Sequence, residues 1–170
     1  MTFIRSKDVI KSHDRAIIYV QHWWKQNKNR VLIGNVTGNQ FGIDLYNDIE
    51  NVHINYRTGK GKWQKGSFPY NTLRELTHKI VKYQKLKKET NKETYIAHIS
   101  TDFKRLILAK VDTFDPSKTE RVQMPCDNNN REFVYRNVCY SHDFEDHELP
   151  VLEFGKRERL SNFLGGTPYD

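Results

Sequence analysis

The chain has 170 residues, enough for one domain with a real core and an appended segment. Lysine and arginine total 28 against 21 acids, a formal charge of +7, which favours a polyanionic partner such as nucleic acid or an acidic surface. No apolar run approaches membrane-spanning length, the two cysteines make no disulfide framework, and Met1-Thr-Phe-Ile-Arg5 is no secretory signal, so a reducing, cytoplasmic setting away from membranes is expected.

Residues from about Ser6 to Asn27 carry apolar side chains at helical spacing. Ile10, Ile17 and Trp24 form the line, and Val9, Ala16 and Val20 widen it. Asp14 and Gln21 fall on the same line, and a carboxylate inside an apolar seam is costly unless something pairs with it. Arg30 to Val36 is a short strand, followed by a Thr37-Gly-Asn39 turn.

Phe41 to Tyr46 and Val52 to Thr58 form a strand–turn–strand unit. Asp44 sits inside the apolar first strand. In the second, Val52, Ile54 and Tyr56 take one face, while His53, Asn55 and Arg57 take the other, because strand side chains alternate. Such a layout can hold a divalent metal beside a phosphodiester, although the place that most wants a second carboxylate carries Asn55. The bland alternative is a solvated strand face with Asp44 bonded to a neighbouring backbone N–H.

Gly59 to Pro69 is a basic loop. Its Lys60, Lys62 and Lys65 can contact phosphates, and Trp63 can stack on a base. Asn71 can cap a second helix running to about Lys88, with Leu73, Leu76, Ile80 and Tyr83 as its stripe and a lysine-dense face that includes Lys79 and Lys82. In that frame Glu75 lies one turn into the helix. Tyr95 to Ile99 and Arg105 to Val111 are strands joined by a tight turn. The order is helix, three strands, helix, two strands, which is an α/β class with a mixed sheet and helices packed on it.

Residues 1–115 form the core, and 116–170 an extension packed on it that adds strands or supplies a dimer or substrate surface. Glu120 to Met124 and Glu132 to Val138 are candidate strands, and the acidic stretch Asp143 to Glu148 reads as a solvated loop. Cys126, Cys139, His142 and His147 lack the close cysteine pair of a usual zinc site and are read as unliganded. No P-loop, dinucleotide fingerprint or nucleophile elbow occurs, which disfavours nucleotide-driven or acyl-transfer chemistry and a small-molecule cofactor.

The stretch from Ser12 to Thr58 resembles the PD-(D/E)XK nuclease superfamily, nearest in look to small Holliday-junction-resolvase-like endonucleases. Asp14 precedes Tyr19-Val20 on the first helix, Gly42-Ile-Asp-Leu45 matches the metal-binding strand, and Ile54-Asn-Tyr-Arg57 stands where that family has Glu-x-Lys. The resemblance implies a restriction-endonuclease-like mixed central sheet flanked by helices. It implies a Mg²⁺-dependent (or Mn²⁺-dependent) DNA endonuclease that pairs as a homodimer, with Asp44 as metal ligand and Asp14 as auxiliary acid. Asn55 then replaces the glutamate and Arg57 the lysine. Asn is a weaker ligand, and Arg stabilises charge without acting as a base. The missing acid is then supplied by Glu75, or by Asp48 or Glu50 in the hairpin turn, or the site is silent. Beside the nuclease stand two alternatives: an inactive nuclease-fold DNA-binding protein, and a partner-binding inhibitor or assembly factor.

Overall fold

The computed structural model describes residues 7–34, 42–55, 71–125 and 133–153. Helix α1 spans Lys7–Lys28. Strands β1 (Ile33–Gly34), β2 (Leu45–Tyr46) and β3 (Glu50–Asn55) follow as an antiparallel meander. Asn47 makes the turn into β3: its side-chain oxygen accepts from the backbone N–H groups of Ile49 and Glu50, an Asx-type closure. Next come β4 (Leu73–Leu76), α2 (Thr77–Thr90), β5 (Glu93–Ile99) and β6 (Arg105–Lys110). Two short 3₁₀ turns lead to β7 (Glu120–Pro125), β8 (Phe133–Ser141) and β9 (Glu145–Glu148).

Among the described residues, the main sheet has six strands in the order β1-β2-β3-β5-β6-β9. Its single parallel pair is β3 with β5, bridged by β4 and α2; the other neighbours are antiparallel. A smaller sheet holds β4-β8-β7. Alternation divides the core. Val52, Ile54, Tyr95, Ala97, Ile99, Leu106 and Leu108 face α1, where Ala16, Ile17, Val20 and Trp24 cover them. Ile96, Ile107 and Ala109 face the other way, toward Ile80, Tyr83 and Leu86 of α2, with Leu73 of β4 and Cys139 of β8. The main sheet is thus a middle layer, and the expected mixed α/β architecture is present.

Three elements differ from the sequence reading. Helix α2 begins at Thr77, not near Asn71, and Leu73–Leu76 is a strand. Leu73 and Leu76 fit the helical stripe by spacing, but antiparallel pairing with Val138–Ser141 of β8 satisfies that backbone instead. Glu75 therefore projects from a strand. The acidic stretch is also no loop, since Glu145–Glu148 adds an edge strand to β6. Buried Arg105 anchors it, with a guanidinium nitrogen 3.0 Å from Asp146.

Candidate functional site

The face of the main sheet toward α2 carries a polar cluster at the end of β3. Asp44 enters just before β2, with its backbone N–H donating to Val52 O. Its Oδ2 accepts from the backbone N–H of Ile54 at 2.7 Å and lies 3.3 Å from His53 Nδ1. The same imidazole nitrogen is 2.6 Å from Gly42 O. A carbonyl and a carboxylate only accept, so Nδ1 carries the proton. Both side chains are nearly buried, with 14% of His53 and 13% of Asp44 exposed.

Asn55, two residues further on β3, pairs in register with His98 of β5. Its side-chain amide donates to Oε1 of Glu75. That oxygen also lies 3.4 Å from His98 Nε2. His98 and Glu75 are almost wholly buried.

Tyr83 of α2 closes the cluster. Its hydroxyl is 3.5 Å from Gly42 O, and its ring lies 5.0 Å from that of His53. Burial first, then the negative charges of Asp44 and Glu75, hold the phenol far above its ordinary value. Gly42 is required here: φ is +73°, and a Cβ would come within 2.5 Å of the Tyr83 hydroxyl.

The structure thus joins Asn55 to Glu75 on the α2 side of the sheet, and sets both Asp44 and Glu75 near Tyr83. Asp14 sits half-buried on α1, the helix that covers the opposite face. Lys79 and Lys82 lie on α2, the first half-buried and the second exposed. Arg57, Lys60, Lys62, Trp63 and Lys65 lie outside the described residues.

Glu50 is at the far end of β3 and is committed elsewhere. Its carboxylate accepts from Trp24 Nε1, from two guanidinium nitrogens of Arg30 and from Asn47 Nδ2. Asp48 is exposed in the turn before it. Cys139 is buried on the α2 side, whereas His147 packs its ring at a tilt against Trp23 on the α1 side, so those two members of the zinc pattern stand on opposite faces. Cys126 lies outside the described residues.

Sequence reasoning placed His53 on the candidate face without giving it a role, and missed Tyr83 and His98 as members of the cluster. His98 carried a signal: a lone imidazole inside the apolar run Tyr95 to Ile99. Tyr83 carried none, because a tyrosine on an apolar helical stripe is ordinary core.

No protein-family model matches the chain, and no curated protein matches it. Among the described residues, no helix is long and apolar enough to cross a membrane.

Proposed function

We propose that this chain is a restriction-endonuclease-like protein of the PD-(D/E)XK type that hydrolyses DNA phosphodiesters with Mg²⁺ or Mn²⁺. The observation that carries this reading is the bond between Asn55 and Glu75, with Asp44 and Glu75 both near enough to act on the Tyr83 phenol. Where the Glu-x-Lys pattern wants an acid, Asn55 instead holds an acid delivered by β4. The element order supports the same reading, with a helix, an antiparallel three-stranded meander, a second helix and a strand parallel to β3.

The donor set fits a hard cation in chemistry: two carboxylates and an amide oxygen, on Asp44, Glu75 and Asn55. Among the described residues, no group of three or more His, Cys, Asp or Glu is placed to hold a metal, so the side chains as they stand form no closed cage and an ion here would depend on water for most of its ligands. When bound, such an ion polarises a phosphoryl oxygen and acidifies a water. The chain's own residues do the positioning. The Ile54 N–H fixes the Asp44 carboxylate, the Nδ1–H of His53 lies against it, and the Asn55 amide holds Glu75 with the His98 ring alongside.

A second reading, a DNA-binding protein without cleavage, is favoured by the near-complete burial of Glu75, whose side chain is 3% exposed. One experiment separates them. Supercoiled, linear and four-way-junction DNA are incubated with the protein in Mg²⁺, Mn²⁺ or chelator, beside Asp44→Ala and Glu75→Gln. The nuclease cuts only with metal, and both variants bind without cutting. Binding without cutting by the wild type leaves the silent reading. Absence of binding removes DNA altogether and leaves a protein-partner role for the basic surface.

A further inference from the structure

We propose that the outer part of the β7–β8 hairpin is a stacking platform for unpaired bases of a DNA strand running toward Glu75. The inference rests on the nucleic-acid reading above and adds the form of the ligand. Phe133 and Tyr135 of β8 are each 61% exposed. Two residues apart on one strand, they point to the same side. β7 is the edge of its sheet, and its Arg121 places a guanidinium carbon 5.1 Å from the centre of the Tyr135 ring. An aromatic pair with a stacked arginine offers flat, cationic surface to a base.

Position along β8 ties this surface to the candidate site. Phe133, Tyr135, Asn137 and Cys139 alternate onto one side, and Cys139 stands opposite Glu75 of β4. Tyr135 to Cys139 is about 13 Å at strand rise, a span of a few nucleotides. Beside this path, Thr77, His78, Val81, Arg136 and Asn137 line a cavity of about 480 Å³ between the start of α2 and β8. Exposed Arg121 on β7 and Lys82 and Lys85 on α2 supply charge for a phosphate backbone.

Charge selects the occupant. The chain carries +7, and a second copy docked on the hairpin would set the arginines of one against those of the other. A DNA strand is complementary. Base faces are open to stacking only when the strand is unpaired, so duplex gains from the cations alone.

The test is fluorescence anisotropy with the full chain in chelator, so that nothing is cut. The probes are a short mixed-sequence single strand and the blunt duplex of the same sequence. Wild type binds the single strand more tightly. Phe133→Ala and Tyr135→Ala each weaken that binding roughly fivefold or more, while Tyr135→Phe keeps it. Duplex binding changes by less than about twofold, because the phosphate contacts remain. Both positions are exposed, and unchanged thermal melts establish that the variants fold. The platform is overturned if both alanine variants hold the single strand like wild type. It is equally overturned if sedimentation shows Tyr135→Ala dissolving a dimer with single-strand binding intact. Aromatic-dependent binding without any cleavage in metal removes the hydrolase and leaves the platform standing. A wild type that binds no DNA removes both.

Discussion

The side-chain amide of Asn55 donates to Oε1 of Glu75, joining β3 of the main sheet to β4 of the smaller one beside α2. The bond makes the neutral amide at position 55 intelligible. It satisfies a buried carboxylate that a second carboxylate in its place would repel.

Asn55→Asp tests that statement. Two carboxylates then share one buried site, and one of them is pushed up in pKa or the fold loosens. The expected cost is about 1–3 kcal/mol near neutral pH, since a charge-assisted bond is replaced by repulsion. For a chain of this size that lowers Tm by roughly 3–10 °C in chelator. Mg²⁺ or Mn²⁺ restores more of the loss in Asn55→Asp than it adds to wild type. Thermal melts with and without the cations check this, and a variant indifferent to them counts against a cation at Asp44, Asn55 and Glu75.

Glu50 gives the contrasting case, a structural carboxylate at the other end of the same strand. Trp24 is wholly buried, and its indole N–H donates to Glu50. Glu50→Ala strands that donor and costs about 1–3 kcal/mol. Burial alone would raise the Glu50 carboxyl, but the hydrogen bonds from Arg30, Trp24 and Asn47 together with the Arg30 charge outweigh it and hold the group below its ordinary value. A depressed folded pKa contributes stability above the unfolded carboxylate pKa, and that contribution is lost as pH falls through the folded value. Wild type therefore loses stability to acid in this window, and Glu50→Gln flattens the loss. Urea midpoints from about pH 6 down to pH 3 read it directly, while DNA binding stays unchanged.

How much of this was legible beforehand depended on which signal each segment carried. α1, β5 and β6 were readable because their apolar periods are unmistakable and no second period competes. Leu73–Leu76 was not, because a spacing of three between leucines serves a helix as well as it flanks a short strand. Only pairing with β8, remote in sequence, decides between them. β9 was hidden by composition: Glu-Asp-His-Glu has no strand propensity, and its place follows from the β6 edge and Arg105. Asp44, Asn55 and Glu75 were readable as candidates from residue type. Glu75 was expected to reach that site from a helix; that it bonds Asn55 from a strand was not legible, since this is a contact between two sheets.

Gly42→Ala probes the wall of the cluster. Alanine at φ +73° is strained by about 1–2 kcal/mol. Its Cβ also meets the Tyr83 hydroxyl, held in the buried stripe of α2. The variant is expected to melt several degrees lower. Tyr83→Phe in the same chain removes the clash but not the backbone strain, so the double variant recovers only part of the loss. Equal melting of single and double variants means that the Tyr83 hydroxyl does not crowd Gly42.

Two buried phenols predict the alkaline limb of stability. Tyr83 is raised well above the ordinary tyrosine range by burial and by the charges of Asp44 and Glu75. Tyr95 is pushed up to about 12, by burial and then by Glu50 and Glu93. Both favour the protonated phenol in the folded chain. Their stabilising effect is complete below the unfolded tyrosine pKa of about 10 and is lost as pH rises from there toward the folded values. Unfolding midpoints in urea should hold steady to about pH 9 and then fall. Tyr83→Phe cannot ionise, so its midpoint falls less steeply even though it starts from a different value. Tyrosinate absorbance in the near ultraviolet should show these two groups ionising only together with unfolding. Early, reversible ionisation of all tyrosines in the folded chain would place Tyr83 in water and dissolve the closed cluster around Asp44.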